Sequence, residues 1–202
     1  MLPPVTKMLL IANVAVYLLQ FALGDTLVIW FGLWPFHTPS SDGAGFLPWQ
    51  VLTYGFLHST SNLMHIGFNM LALYMFGGQI EQVFGSRRFM IYYLGCVFAA
   101  ALAQLATAAF AGGMAYPTIG ASGGVFGLLL AYGLFFPRRT VMLIFPPIPM
   151  PAWLFVTLYG ILEIYLGVTG SQAGVAHFAH LGGMLGGYIL IRQWRRRPPN
   201  QN

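Results

Sequence analysis

The sequence predicts an all-α membrane protein, a bundle of six transmembrane helices with both termini cytoplasmic. Three observations predict it. Only 6% of the 202 residues are charged and 57% are hydrophobic, whereas soluble domains carry about 25% charged residues. The apolar residues gather into six stretches near the roughly 17–25 residues that a bilayer span requires. All nine basic residues fall on one side of those spans, which the positive-inside rule makes the cytoplasmic side.

The stretches run near Met8–Gly24, Asn62–Phe84, Phe89–Ala111, Ser122–Phe136, Ala152–Val168 and Val175–Ile191. Lys7 before the first and Ala22-Leu23-Gly24 at its end resemble a signal peptide, but its length and the five later spans favour a retained helix. The loop Asp25 to Ser61 carries Trp30, Phe31, Trp34, Phe36, Phe46 and Trp49, broken by Pro35, Pro39 and Pro48. So many rings belong at the headgroup level, and His37 and His58 are expected to be interfacial with them. Arg87 and Arg88 separate spans 2 and 3. Span 3 holds the single cysteine, Cys96, which leaves no partner for a disulfide or a thiolate cluster. Arg138 and Arg139 follow span 4, and Pro146-Pro147-Ile148-Pro149-Met150-Pro151 cannot continue a helix and reads as a stiff turn. Arg192, Arg195, Arg196 and Arg197 follow span 6. The whole of 1–202 reads as one domain with a basic tail from 192, without internal repeats. The net charge of +5 therefore fits membrane topology better than nucleic-acid binding, although the tail can attract lipid headgroups.

Polar groups inside spans mark function, because hydrocarbon offers them no water. Span 4 begins at Ser122 within Gly120-Ala121-Ser122-Gly123-Gly124. Small residues there serve helix packing or the close approach of a substrate to a hydroxyl. The Gly-x-Ser-x-Gly pattern also matches a nucleophile elbow, but that device needs a strand, a turn and a helix in an open α/β sheet. Span 2 opens with His65 and Asn69 on one helix face, and span 6 holds His177 and His180. Counting from the arginines at ~1.5 Å per residue puts Ser122 about 24 Å, His180 about 18 Å and Asn69 about 27 Å above them. All three fall in the outer part of a core about 30 Å thick. A serine activated by a neutral imidazole performs acyl transfer, and His65, Asn69 and the Ser122 amide are the candidate oxyanion donors. No aspartate lies in a span, so the set reads as a Ser–His dyad without an acidic third member. Glu163 in span 5 reads as a structural hydrogen-bonder or a protonated acid, with a gating role open.

Depth alone does not choose between His177 and His180; His177, at about 22 Å, matches Ser122 slightly better. Gly183 and Gly187 follow His180 and form a stripe on which spans 4 and 6 can approach closely. Leu181, Met184 and Tyr188 follow His177 instead, and are too bulky for that contact.

These residues resemble the rhomboid intramembrane serine proteases. Gly120-Ala121-Ser122-Gly123 is similar to the family's nucleophile motif, Ala179-His180 with Gly183 and Gly187 to its histidine-bearing last helix, and His65 with Asn69 to its oxyanion-side pair. Gly77-Gly78, Glu81 and Gly85-Ser86 resemble its usual end of span 2. The resemblance covers the chain in order. It implies catalysis by Ser122 and His180, oxyanion stabilisation by His65, Asn69 and Ser122, no cofactor or metal, and transmembrane proteins as substrates. It also implies that Phe126 packs on the catalytic imidazole. Trp49-Gln50 stands where the family often carries Trp-Arg, which puts the anchoring of the first loop in question. The compact chain suggests a bacterial inner membrane; its oligomeric state is not legible.

Two other classes share some of these features. A rhomboid-like chaperone has the fold but usually lacks the serine or histidine. A metalloprotease or metal transporter could use His58, His65, His177 and His180, but no His-Glu-x-x-His motif is present and no carboxylate ligand is expected at the site.

Overall fold

A computed structural model of the chain describes residues 1–36, 38, 44–111, 116–143, 146–170 and 175–196. His37, Pro39, Asp42 and Arg197 lie outside the described residues. The structure is mostly helical. Helix α1 spans Pro4–Leu23 and starts on a proline, whose missing N–H is not needed in a first turn. Its next amides are taken by a distant carboxylate. Glu81 accepts from Val5 N–H at 3.0 Å, from Thr6 N–H and Oγ1–H at 2.7 Å each, and from Ser86 Oγ–H at 2.7 Å. An acid at a helix N-terminus satisfies orphan donors and opposes the helix dipole, so it ties α1 to the end of the next rod.

That rod comprises α4 (Leu63–Ala72), a π-helical turn (Leu73–Gly77) and α5 (Gly78–Phe84). Before it come α2 (Asp25–Phe31) and the short α3 (Gln50–Thr53), both within the aromatic loop. Gln50 is fully buried and anchors that loop. Its Oε1 accepts from the amides of Trp34 and Leu47 at 3.2 and 3.1 Å, and its Nε2 donates to the carbonyl of Gly45 at 3.0 Å. A glutamine thus supplies the anchoring that the Trp-Gln sequence put in question.

Helices α6 (Ser86–Ala111), α7 (Ser122–Phe135), α8 (Ala152–Thr169) and α9 (His177–Arg196) complete the bundle. Each starts within a few residues of the expected span. Among the described helices, Pro4–Leu23, Ser86–Phe110 and Ala152–Thr169 are long and apolar enough to cross a membrane. Helix α7 is central, since ten of its fourteen residues are buried, with Phe89, Tyr92, Tyr93 and Cys96 of α6 in the same core. Cys96 is fully buried, as a small core residue should be.

Two expectations about connections are corrected. The proline-rich segment is not a bare turn: Pro149–Pro151 pairs antiparallel with Thr140–Met142, with Val141 opposite Met150. Proline has no N–H for a ladder, so it suits a two-stranded edge. The glycine stripe of α9 also faces two neighbours rather than one. A side chain on Gly183 would meet the carbonyl oxygen of Gly123 in α7 at 2.1 Å, whereas one on Gly187 would meet Tyr92 and Cys96 of α6.

Candidate active site

The segment leading into α7 is held at two points. Leu33 and Thr118 exchange backbone hydrogen bonds at 3.0 and 2.9 Å, and Gly120 N–H donates to the carbonyl of Tyr54 at 3.0 Å. The Tyr54 hydroxyl in turn donates to the Val97 carbonyl of α6 at 2.8 Å. Gly120 has φ +131°, a conformation that L side chains rarely adopt. A side chain there would meet His65 Nε2 at 2.7 Å and Ser122 Oγ at 3.8 Å, so both groups face the same small space. Ser122 is the first residue of α7, and the first amides of a helix have no intrahelical acceptor.

His180 reaches Ser122 from α9. Its Nε2 lies 2.8 Å from Ser122 Oγ, a hydrogen-bond distance. The close Gly123–Gly183 approach permits that reach, because the two helices meet backbone to backbone just below both side chains. Phe126, one turn after Ser122, lies flat against the imidazole with ring centroids 4.2 Å apart, as the resemblance implied. On the other side of the ring, His180 Nδ1 lies 2.9 Å from Glu163 Oε2. The same oxygen lies 2.7 Å from His177 Nδ1. The expectation of a serine and histidine with no acid alongside is therefore corrected.

His65 is oriented through the loop before α4. Its Nδ1 accepts from Ser59 N–H at 3.3 Å, which leaves Nε2 to carry the proton in the neutral ring. That N–H faces the space beside Gly120 and Ser122. Gln20 of α1 fixes the loop by two bonds of 2.9 Å, accepting from His58 N–H and donating to the His58 carbonyl. Asn69 lies one turn beyond His65 and is buried, but its Nδ2 donates to the His65 carbonyl at 2.8 Å. The structure thus brings Ser122, His180 and His65 together and turns one Asn69 donor back to its own helix. His58 is not interfacial; it is fully buried, edge-on to His65 at 5.1 Å between centroids. Burial, and then the neighbouring His65, push its pKa down to about 4.

The family model described as the Rhomboid domain matches residues 46–197, which covers the rod of α4 and α5 and all of α6 to α9. The chain belongs to the rhomboid family. It is similar to the mitochondrial Rhomboid protein 1 of Saccharomyces cerevisiae, at 30% identity over 69% of this chain and 40% of that protein. It is 29% identical to Rhomboid protease GluP of Bacillus subtilis over 70% of this chain and 25% of that protein. With Rhomboid protease GlpG of Serratia proteamaculans it shares 28% identity over 96% of this chain and 63% of that protein. The chain thus spans less than two-thirds of the length of each of these relatives.

This rhomboid is an integral membrane protein, and its buried polar groups are costly unless hydrogen-bonded. Glu163, His177 and His180 could in principle hold a metal ion, since their ligand atoms all lie within 4.8 Å of one another. Their separations of 2.7 and 2.9 Å are those of charge-assisted hydrogen bonds. Ligands bound to zinc at 2.0–2.1 Å in tetrahedral geometry stand about 3.3 Å apart or more. The arrangement fits a hydrogen-bonded set better than a metal centre. The carboxylate judged missing from a metal site is nonetheless present, as Glu163. Counted from Ala152, the first residue of α8, rather than from an arginine, Glu163 lies about 17 Å along its helix, so its level was legible. Its direction around the helix was not.

Proposed function

We propose that this rhomboid is an intramembrane serine endopeptidase that cleaves transmembrane segments of other proteins near the outer leaflet. The observation that carries the reading is the 2.8 Å approach of His180 Nε2 to Ser122 Oγ. In the reaction, Ser122 Oγ bonds to the scissile carbonyl carbon while its proton passes to His180 Nε2. The oxyanion then accepts from the Ser122 amide and from His65 Nε2–H, with Asn69 holding the His65 turn. His180 returns the proton to the leaving amine, and water, deprotonated by the same nitrogen, releases the acyl group from Ser122. A substrate helix hides its carbonyls in its own hydrogen bonds, so it must unwind locally before attack.

Six spans, cytoplasmic termini and a bacterial inner membrane belong to this reading. In it, the rod of α4 and α5 together with α1, α6, α7, α8 and α9 are taken as the six spans; α1, α6 and α8 are each long and apolar enough to cross a membrane. Substrates are expected to be transmembrane proteins. A chaperone role would not require a serine and an imidazole at hydrogen-bond distance. The test is cleavage of a single-span reporter in proteoliposomes containing chelator. The wild-type chain should release two fragments and Ser122→Ala none; equal cleavage by both, or arrest by chelator alone, would reject the reading.

A further inference from the structure

We infer that Glu163 is the positioning residue of His180, and that His177 is the second donor that holds the Glu163 carboxylate in place. The inference rests on the protease reading above and adds a member to its machinery. Helix α8 is otherwise turned outward. Its buried residues are Ala152, Phe155 and Val156 in the first turns and then Glu163 alone, while Ile161, Leu162, Ile164 and Tyr165 around it are exposed. A helix that presents leucine and isoleucine outward and buries its one acid has oriented that acid toward something. Burying a carboxylate costs several kcal/mol unless its oxygens are well bonded. Here Oε2 faces two imidazole nitrogens, both on α9 and three residues apart.

An ionised carboxylate only accepts hydrogen bonds. Both facing nitrogens must therefore carry hydrogen, so His180 and His177 each donate from Nδ1. For His180 this sets the tautomer: with the proton on Nδ1, Nε2 keeps its lone pair toward Ser122 Oγ at 2.8 Å. Without an acceptor at Nδ1 the neutral ring can place its proton on Nε2, where it would donate to the serine instead of receiving from it. Once His180 takes the serine proton, the carboxylate 2.9 Å away offsets the new positive charge in a medium where that charge is otherwise poorly solvated. Glu163 touches no reacting atom in this account. Its action passes through the imidazole, as the buried acid of a serine triad acts.

His177 has a different place. It is buried, and its Nε2 has no hydrogen-bond partner among the described residues, so the one hydrogen bond of its ring is to Glu163. Close packing of α8 on α9 keeps that bond short: a side chain on Gly167 would meet His177 Cβ at 3.3 Å and the Phe178 ring at 3.2 Å. The pair of donors leaves Oε2 less free to turn away from His180 than one donor would. Among the described residues, the histidine ring hydrogen-bonded to Ser122 is that of His180.

The test uses the full chain in detergent, with ¹⁵N-labelled histidine and a reporter substrate. In wild type the His180 signals, identified by their loss in His180→Ala, should report the Nδ1–H tautomer. In Glu163→Gln that preference should weaken, with kcat lowered by up to about 10⁴-fold, the loss that follows neutralising the acid of a triad, and KM changed by less than about threefold. Glu163→Asp should recover part of the loss. A wild-type His180 found as Nε2–H overturns the inference without any variant. So does a Glu163→Gln protein that keeps kcat within about threefold, or a stoichiometric metal that Glu163→Gln fails to bind. A wild-type chain that neither cleaves nor reacts with fluorophosphonate rejects the protease reading instead, and the tautomer still judges the position of Glu163.

Discussion

Phe126 lies flat on His180, with ring centroids 4.2 Å apart and planes 6° from parallel. A stacked ring restrains the imidazole to the plane in which one nitrogen meets Ser122 and the other Glu163. Aromatic contacts of this kind are worth about 0.5–1.5 kcal/mol, so Phe126→Ala should lower kcat by about 2–12-fold through misplacement of His180. It should also lower unfolding stability by about 3–5 kcal/mol, as large-to-small core changes do. Phe126→Tyr preserves the face and should stay within a few-fold of wild type. Steady-state kinetics and detergent unfolding of both variants measure this; an alanine variant with unchanged kcat would show the stack to be packing alone.

The oxyanion side divides unequally between its two residues. His65 has Nε2–H free to face Ser122, because Ser59 N–H occupies Nδ1. Asn69 already donates to the His65 carbonyl. Loss of one oxyanion donor costs about 10²–10³ in kcat, and His65→Ala should fall in that range with little change in KM. Asn69→Ala should lose less, about tenfold. Turnover of the reporter measures both, and equal or reversed effects would assign the donor to Asn69.

The helices were legible because apolar runs are bounded by prolines, glycines and arginines. Ser122 was singled out by its glycine-rich setting at the start of an apolar run, and Phe126 by the family resemblance. What escaped was direction. Nothing in the run Ala152–Val168 states which side of α8 faces α9, so Glu163 could be placed by depth and not by partner. The same limit sent Gly187 to span 4, when a side chain there would meet Tyr92 and Cys96 of α6. Loops hid the rest: the burial of His58 and Gln50 depends on how the aromatic segment folds back on itself, which carries no period to read.

Helix approach near the nucleophile should tolerate no added atom. Alanine at Gly183 would press on the Gly123 carbonyl, whereas a side chain at Gly67 meets nothing within 4 Å. Gly183→Ala should destabilise by at least the ~1–3 kcal/mol of an overpacked core and suppress cleavage, since Gly123 adjoins Ser122. Gly67→Ala should leave activity intact and gain up to ~1 kcal/mol from helix propensity. Unfolding midpoints with parallel activity assays separate the two, and a stable, active Gly183→Ala protein would refute the close contact.

Burial of His58 predicts acid sensitivity. Its pKa falls from 6.5 to about 4 on folding, so the unfolded chain binds the proton more tightly. Stability is full above the unfolded value and is lost as pH falls from 6.5 toward 4, by at most ~3 kcal/mol at about 1.4 kcal/mol per unit. Unfolding of wild type and His58→Gln at about pH 8 and about pH 5 isolates this group, because every other residue is the same in both. The variant should lose ~2 kcal/mol less on acidification; identical losses would mean that His58 is hydrated or hydrogen-bonded in the folded protein.

The central claim is that Ser122 and His180 form one reactive unit, and covalent labelling by a fluorophosphonate measures it most directly. Peptide mapping of the labelled wild-type chain should place the adduct on Ser122. His180→Ala should abolish labelling, while His177→Ala, which leaves the 2.8 Å contact of His180 with Ser122 in place, should retain much of it. Mapping of the adduct to another residue, or labelling that survives loss of His180 and disappears with loss of His177, would contradict the account.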